Sequence, residues 1–240
     1  MLFNSFTFWI FFGLVALIYR FLDHRWRNRF LVVASYVFYG YWDWRFLGLI
    51  AFSTLVDFIA AQQIAGAKGA KRTRKTWLMV SVSVNLGLLG IFKYLGFFVT
   101  EFNSLLADIG ISGSIPGINL ILPVGISFYT FQTLSYTIDV YRGQTRPARD
   151  LLDFALYVSF FPQLVAGPIE RSSHLLPQVV NQRKPLDEER FRTGLYHVLR
   201  GLFLKVVIAD NMALIANHVF AQPAGELSAW QVLLGVYAFA

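Results

Sequence analysis

The sequence predicts an all-α polytopic membrane protein, a multi-helix bundle with broken or re-entrant helices. Three observations carry this prediction. First, of 240 residues 56% are hydrophobic and only 15% are charged, where a soluble domain carries about a quarter. Second, apolar runs that approach the ~20 residues needed to cross a bilayer recur along the chain. Third, the positive excess, +7 in net charge, sits in short loops between those runs, where Lys and Arg mark the cytoplasmic side. In a soluble protein such charge would point to nucleic acid; placed this way it points to a membrane, with no nucleic-acid partner. The chain has no cysteine, which excludes disulfides, thiol nucleophiles, thiolate metal sites and palmitoylated cysteines.

The apolar stretches fall near residues 3–22, 30–42, 45–65, 77–99, 118–138, 151–169, 195–220 and 228–240. The first is followed by Arg20, Arg25, Arg27 and Arg29. A cleavable signal peptide has the reverse charge polarity, so this is a retained helix with its N-terminus outside. Stretches 30–42 and 45–65 form a hairpin whose turn, YWDWR, places Trp42 and Trp44 at headgroup level, as Trp77 is later. The loop Gly66–Thr76 has five Lys/Arg and no acid and belongs inside. Loop 101–117, with Glu101 and Asp108, belongs outside, and loop 139–153, with Arg142, Arg146 and Arg149, belongs inside.

The alternation then falters. Residues 170–194 carry Arg171, Arg183, Lys184, Arg190 and Arg192 and would lie outside if 151–169 crossed fully. Pro162, Gly167 and Pro168 interrupt that run, so we expect a re-entrant or broken helix that keeps 170–192 on the cytoplasmic side. A surface helix is expected to start within 181–194, with Asp187, Glu188 and Glu189 where negative charge suits the helix dipole. The last run, Ser228–Ala240, reaches ~20 Å as a helix against a hydrocarbon core of ~30 Å. The expectation is a bundle incomplete at the C-terminus, and a single integral-membrane domain over 1–240.

Ionisable groups inside these runs cost ~2.5–3.5 kcal/mol on insertion scales, yet Asp57, Lys93, Arg200, Lys205 and Asp210 lie there. For Asp57 and Lys93 the choices are partial snorkelling or binding to facing helices. Lys205 and Asp210, five apart, do not share an α-helical face and should contact other elements. Gly125, Tyr129, Gln132, Tyr136 and Asp139 recur at spacings of four and three and form one helical stripe. That stripe is either a polar wall of a substrate tunnel or hydrogen-bonding glue between helices. In the run PQLVAGPIER, Pro162, Gln163, Gly167, Pro168, Glu170 and Arg171 combine irregular backbone with a carboxylate and a guanidinium. Broken backbone survives in hydrocarbon only beside protein or a water-filled cavity, so this run either lines a site or leaves the membrane. Of the four histidines, His24 is expected to be solvated, His174 to lie near an interface, and His197 and His218 to be packed or interfacial on the last long helix. None has Asp five residues later, and no H-E-x-x-H, G-x-S-x-G, P-loop or G-x-G-x-x-G is present. No metal site and no bound cofactor are expected.

Six stretches, VVASYVFYGYWDWRFL, STLVDFIAA, NLGLLGIFKYLGFF, LPVGISFYTFQTLSYTIDVYRG, FALYVSFFPQLVAGPIERSSHLLPQ and GLFLKVVIADNMA, together resemble the membrane-bound O-acyltransferase family. The similarity is to its branch of alginate O-acetyltransferases and D-alanyl transfer proteins. The resemblance implies a multi-pass enzyme of the bacterial inner membrane, with a thin centre and a tunnel. It implies an acyl group taken from a cytoplasmic thioester such as acetyl-CoA, as a substrate. A periplasmic or extracellular acyltransferase partner would complete O-acetylation of an exopolysaccharide acceptor such as alginate. A histidine base would assist the transfer, with nearby donors stabilising the oxyanion. Members are roughly twice as long, and their histidine lies downstream in a W-R-R-W-H-like stretch. No residue here is its match, so no catalytic residue is assigned and this length alone is expected to be inactive. Two other readings stay open. A polytopic transporter also uses discontinuous helices and buried charges, though no internal repeat is visible. A catalytically dead membrane scaffold would recruit a partner through its cytoplasmic loops.

Overall fold

The computed structural model describes residues 3–67, 69–110, 115–116, 120–164, 167–168, 170–183, 186–223 and 225–240, and every regular element among them is helical. Lys68, Val165, Ala166, Ile169 and Lys184, which belong to the loops and the broken run singled out above, lie outside the described residues. The elements are α1 (Phe6–Phe21), α2 (His24–Asp43), a 3-10 turn (Trp44–Phe46), α3 (Leu47–Gly66), α4 (Lys71–Asp108), α5 (Ile126–Arg142), α6 (Leu151–Ser159), α7 (Phe161–Leu164), α8 (Ser172–Val180), α9 (Glu188–Phe203), a π-helical segment (Leu204–Ala209), α10 (Asp210–Phe220) and α11 (Ala229–Phe239).

Helices outrun the apolar stretches at basic ends. The α2 helix absorbs the arginine loop ahead of residue 30, and α4 absorbs most of the basic loop 66–76. Lys and Arg are good helix formers; they shift a hydropathy boundary without ending the backbone helix. The 38 residues of α4 extend ~57 Å, nearly twice a hydrocarbon core. Among the described residues two segments are long and apolar enough to cross a bilayer, His24–Gly66 taken through its turn and Lys71–Asp108.

Breakers act where the sequence places them. Gly125 precedes α5 with φ +77°, and a Cβ there would stand 2.8 Å from the Leu164 carbonyl oxygen, so only glycine fits the conformation and the close approach. At the other end Gly143 has φ +74°, and the Gln144 N–H returns to the Asp139 carbonyl at 2.8 Å, a left-handed C-terminal cap. Asp150 starts α6 by accepting from the Leu152 N–H at 2.7 Å. The run 151–169 breaks at Phe160, and Pro162 falls in the first turn of α7, where an N–H would lack an intrahelical partner. Hydropathy alone gave no sign of the short α8.

The chain divides into two compact units, Ile10–Arg183 and the pair Leu2–Trp9 with Lys184–Ala240. In the first, α3 packs on α4, α5 and α6, and α2 packs on α6. Ile50, Ile64, Ile126, Tyr136, Phe154, Tyr157 and Leu164 form its buried centre, with the Tyr136 and Phe154 rings 4.5 Å apart. In the second unit, the Asp187 side chain caps α9 by accepting from the Arg190 N–H at 2.8 Å, and Glu188 and Glu189 follow in the first turn, as expected. A capping box at Ser228 and Gln231 opens α11. The α11 helix packs on α10 through Gly235, where a Cβ would meet Val219 Cγ1 at 2.6 Å.

One expectation in this unit is corrected. Lys205 and Asp210 bond each other directly. The intervening segment is π-helical, and its i→i+5 period brings onto one face two residues that an α-helix would hold apart.

Candidate functional site

Segment 150–183 enters and leaves at one end of the unit Ile10–Arg183. At its start, Asp153 Oδ1 accepts from Asn28 Nδ2 at 2.8 Å. At its finish, the Val179 carbonyl accepts from that same amide at 2.9 Å. Arg183 donates to Asn28 Oδ1 at 2.8 Å and to the Tyr19 hydroxyl at 3.0 Å. The loops meet there too. Gln62 Nε2 donates to the Ala148 carbonyl and Arg74 Nη2 to the Tyr141 carbonyl. Ser172 donates to Asp139 Oδ2 at 3.1 Å. Residues 19–28, 62–74, 139–153 and 170–183 therefore share one end, which holds the three loops expected inside.

The middle of the segment lies deeper. The Phe161 N–H donates to Ser35 Oγ at 3.1 Å, ~10 Å further along α2 than Asn28. The Leu164 carbonyl reaches Gly125, ~21 Å along α5 from Asp139. This is a hairpin that dips into the bundle and returns to the end it left.

The stripe on α5 faces this hairpin. Tyr129, Gln132 and Tyr136 are fully buried, while Gly125 and Asp139 at its ends are half-buried. Gln132 Nε2 donates to the Tyr157 carbonyl at 2.8 Å. The Tyr136 hydroxyl accepts from the Ala148 N–H at 2.9 Å. The Tyr157 hydroxyl donates to the Glu170 carbonyl at 3.3 Å. Gln163 Nε2 reaches Gln132 Oε1 at 3.4 Å and the Pro168 carbonyl at 3.3 Å. Of these, Gln132 to Tyr157 and Gln163 to Gln132 join helix to helix, the others tie helices to loops, and together they join the stripe to the PQLVAGPIER run. Two buried oxygens of these elements, Tyr129 Oη on α5 and Gln163 Oε1 on α7, have no partner among the described residues; buried groups of that kind call for an explanation. Gly167 lies against Gln163, where a Cβ would come within 2.8 Å of Cγ. Pro162, Pro168 and Arg171 are exposed, and Glu170 is half-buried.

A second polar centre was only partly legible. Asp57 is fully buried and bonds to a facing helix, so snorkelling is not its arrangement. Ser81 Oγ donates to its Oδ1, and Asn85 Nδ2 to both oxygens at 2.8 and 2.9 Å. Ser53 Oγ donates to Asn85 Oδ1 at 2.7 Å, and Thr133 reaches the same oxygen at 3.4 Å. This links α3, α4 and α5. The available signal was the four-residue spacing of Ser53 with Asp57 and of Ser81 with Asn85, which places each pair on one helix face. Lys93, by contrast, is exposed and lies over the Tyr94 ring.

The histidines are placed as follows. His24 Nε2 lies 3.1 Å from the Val180 carbonyl, so it is tied to the chain rather than free in solvent. His174 Nδ1 pairs with Glu170 Oε2 at 2.8 Å on an exposed surface. His218 lies 3.3 Å from Gln222 Nε2. His197 is exposed, which leaves the interfacial alternative of the two, and stands edge-on to Tyr196. Among the described residues no three His, Asp or Glu side chains gather as a metal site.

Residues 148–239, which include this hairpin, match the family model of MBOAT, the membrane-bound O-acyltransferase family. The chain is 39% identical over 92% of its length to the probable alginate O-acetylase AlgI of Pseudomonas putida, of which it covers 45%. It is 40% identical over 92% of its length to that of Azotobacter vinelandii, of which it covers 44%. Against the peptidoglycan O-acetyltransferase of Helicobacter pylori it is 34% identical over 87% of its length, covering 44% of that protein. The chain thus spans less than half the length of the curated relatives it matches. No solved structure matches it. The matched segment, which includes the hairpin, and an identity that runs through nearly the whole chain lead to one conclusion: over this length the chain is similar to the membrane-bound O-acyltransferase family.

Proposed function

We propose that the chain is part of a multi-pass O-acyltransferase of the bacterial inner membrane, forming one integral-membrane domain. It takes an acetyl group from a cytoplasmic acyl-thioester such as acetyl-CoA and passes it outward for O-acetylation of an exopolysaccharide such as alginate. A periplasmic or extracellular acyltransferase partner completes the delivery. The observation that carries this is the hairpin 150–183, dipping among α2 and α5 from the basic end and returning to it. Such a re-entrant element thins the protein barrier between two aqueous sides, and hydrocarbon admits its irregular backbone only inside protein. The stripe Gly125 to Asp139 and the run Pro162 to Arg171 border the passage. The unpartnered Tyr129 and Gln163 oxygens are where a polar substrate group finds a hydrogen bond. These 240 residues contain no match to the family histidine, so alone they transfer no acetyl group.

A chimera tests this directly: these residues replace the matched segment of the Azotobacter vinelandii relative in a strain lacking it. Acetylated alginate is the expected product. Unacetylated alginate from a chimera inserted at the parental level overturns the proposal. Because the native chain has no cysteine, single cysteines at positions 150 and 173 report topology without background. Both should react with a membrane-impermeant thiol reagent only from the cytoplasmic side; reaction from opposite sides removes the re-entrant hairpin. The Helicobacter pylori relative, by its name, favours a second acceptor, peptidoglycan, and acetylated muropeptides from the same strain would identify it.

A further inference from the structure

In the unit Ile10–Arg183, α1 stands off from the other helices and leaves an apolar groove of 330 Å³. Phe12, Val15 and Ala16 line one side, and Leu31, Phe161 and Leu175 line the other. Tyr19, Gln178 and Arg183 close it at the basic end, ~10 Å along α1 from Phe12.

Among the described residues no carboxylate pairs with the guanidiniums at that end. Arg183 donates to three neutral acceptors, the Tyr19 hydroxyl, Asn28 Oδ1 and the Gln178 carbonyl, at 3.0, 2.8 and 3.2 Å. The Arg27 guanidinium lies 4.8 Å from the centre of the Tyr19 ring and that of Arg183 5.8 Å from it. His24 adjoins them through Val180. The acid in this network, Asp153, is reached only through the Asn28 amide. Two guanidiniums on one ring, bonded to neutral oxygens, with Arg183 lining a greasy slot and Arg27 behind the Tyr19 that closes it, match a ligand with an anionic head and a hydrocarbon tail.

We propose that this groove holds an acyl chain of an anionic phospholipid, with the headgroup phosphate at Arg183 and Arg27. The site rests on the reading that this unit spans a bilayer with its basic end at the cytoplasmic face, where anionic headgroups attract Lys and Arg. A neutral lipid would satisfy the slot and leave the guanidiniums unpaired, and a free phosphate would satisfy the guanidiniums and leave the slot empty.

The test is native mass spectrometry of the full chain, released from nanodiscs of equal phosphatidylglycerol and phosphatidylcholine. Retention of phosphatidylglycerol over phosphatidylcholine should reach about five-fold or more. It should fall toward parity in Arg183→Gln and persist in Arg183→Lys. Ala16→Trp fills the slot, leaves every hydrogen bond of Arg183 in place, and should abolish retention of both lipids. Since Arg183 also braces Tyr19 and Asn28, thermal unfolding of each variant shows whether a loss of lipid reflects a loss of fold. Equal retention of the two lipids, retention unchanged by Ala16→Trp, or displacement of the lipid by inorganic phosphate each overturns the proposal. Alkaline carbonate extraction separates the two premises. A chain that stays in the membrane but shows no lipid preference sinks the site alone, whereas a chain released by carbonate sinks the bilayer reading and the site with it.

Discussion

The units Ile10–Arg183 and Lys184–Ala240 share an apolar composition and are held together differently. In the first, buried polar side chains bind across helices: Asp57 to Ser81 and Asn85, Gln132 to the backbone of Tyr157, Asn28 to both ends of the hairpin. In the second, the polar contacts are local caps and the Lys205–Asp210 pair, while Leu199, Val207, Leu214 and Trp230 are exposed. Apolar pattern makes helices in both, but hydrophobic contact has no direction, and directed hydrogen bonds to particular carbonyls fix how helices sit. The first unit has a cross-linked buried centre. Both units present apolar surface that bilayer or further protein must cover, the first through Val33, Phe52, Phe97 and Phe98 among others.

The sharpest way to break this comparison is Asp57→Ala. It leaves the Ser81 hydroxyl and one Asn85 amide hydrogen buried without their acceptor, while the other Asn85 hydrogen keeps the Ser81 carbonyl, and should cost about 3 kcal/mol, read by thermal unfolding of the detergent-solubilised chain. A cost near zero would mean that the polar network does not organise the first unit. Next is Gly125→Ala, which meets both positive φ and the Leu164 carbonyl; we expect a loss of about 2 kcal/mol. Gly143→Ala, at similar φ with open space around it, should lose about 1 kcal/mol. Equal losses would remove the close approach of the hairpin to α5. Third, Gln132→Ala should cost about 1 kcal/mol in stability. In the Azotobacter vinelandii chimera it should lower polysaccharide acetylation well beyond any change in membrane insertion. Unchanged acetylation leaves the stripe with a packing role alone. The smallest effect is expected in the second unit: Lys205→Ala removes a half-exposed ion pair and should cost no more than about 0.5 kcal/mol, with the helix intact by circular dichroism.

Much of the fold was legible because its signals are local. Breakers such as Gly125 and Pro162 act on their own backbone, and the cap at Asp187 needs three residues. The charge pattern set residues 170–183 beside the other basic loops because short-range composition records which side of a barrier a segment faces. The candidate site was less legible. The stripe was visible as a period on α5, but a period gives a face and not the partner on it, so tunnel wall and glue could not be separated. Asn28, Ser53 and Thr133 were missed because each is unremarkable alone and gains its role from residues far away in sequence.

By itself the sequence determined that the chain is helical, where it breaks, which loops are basic, and which family it resembles, since composition, spacing and motif order are written in the chain. Only the tertiary structure decided that Asp57 is held by α4, that Lys205 pairs with Asp210 across a π-turn, and that both ends of the 150–183 hairpin meet Asn28. Those are pairings between particular atoms, and a hydrogen bond is settled by distance and direction that residue order does not encode one position at a time.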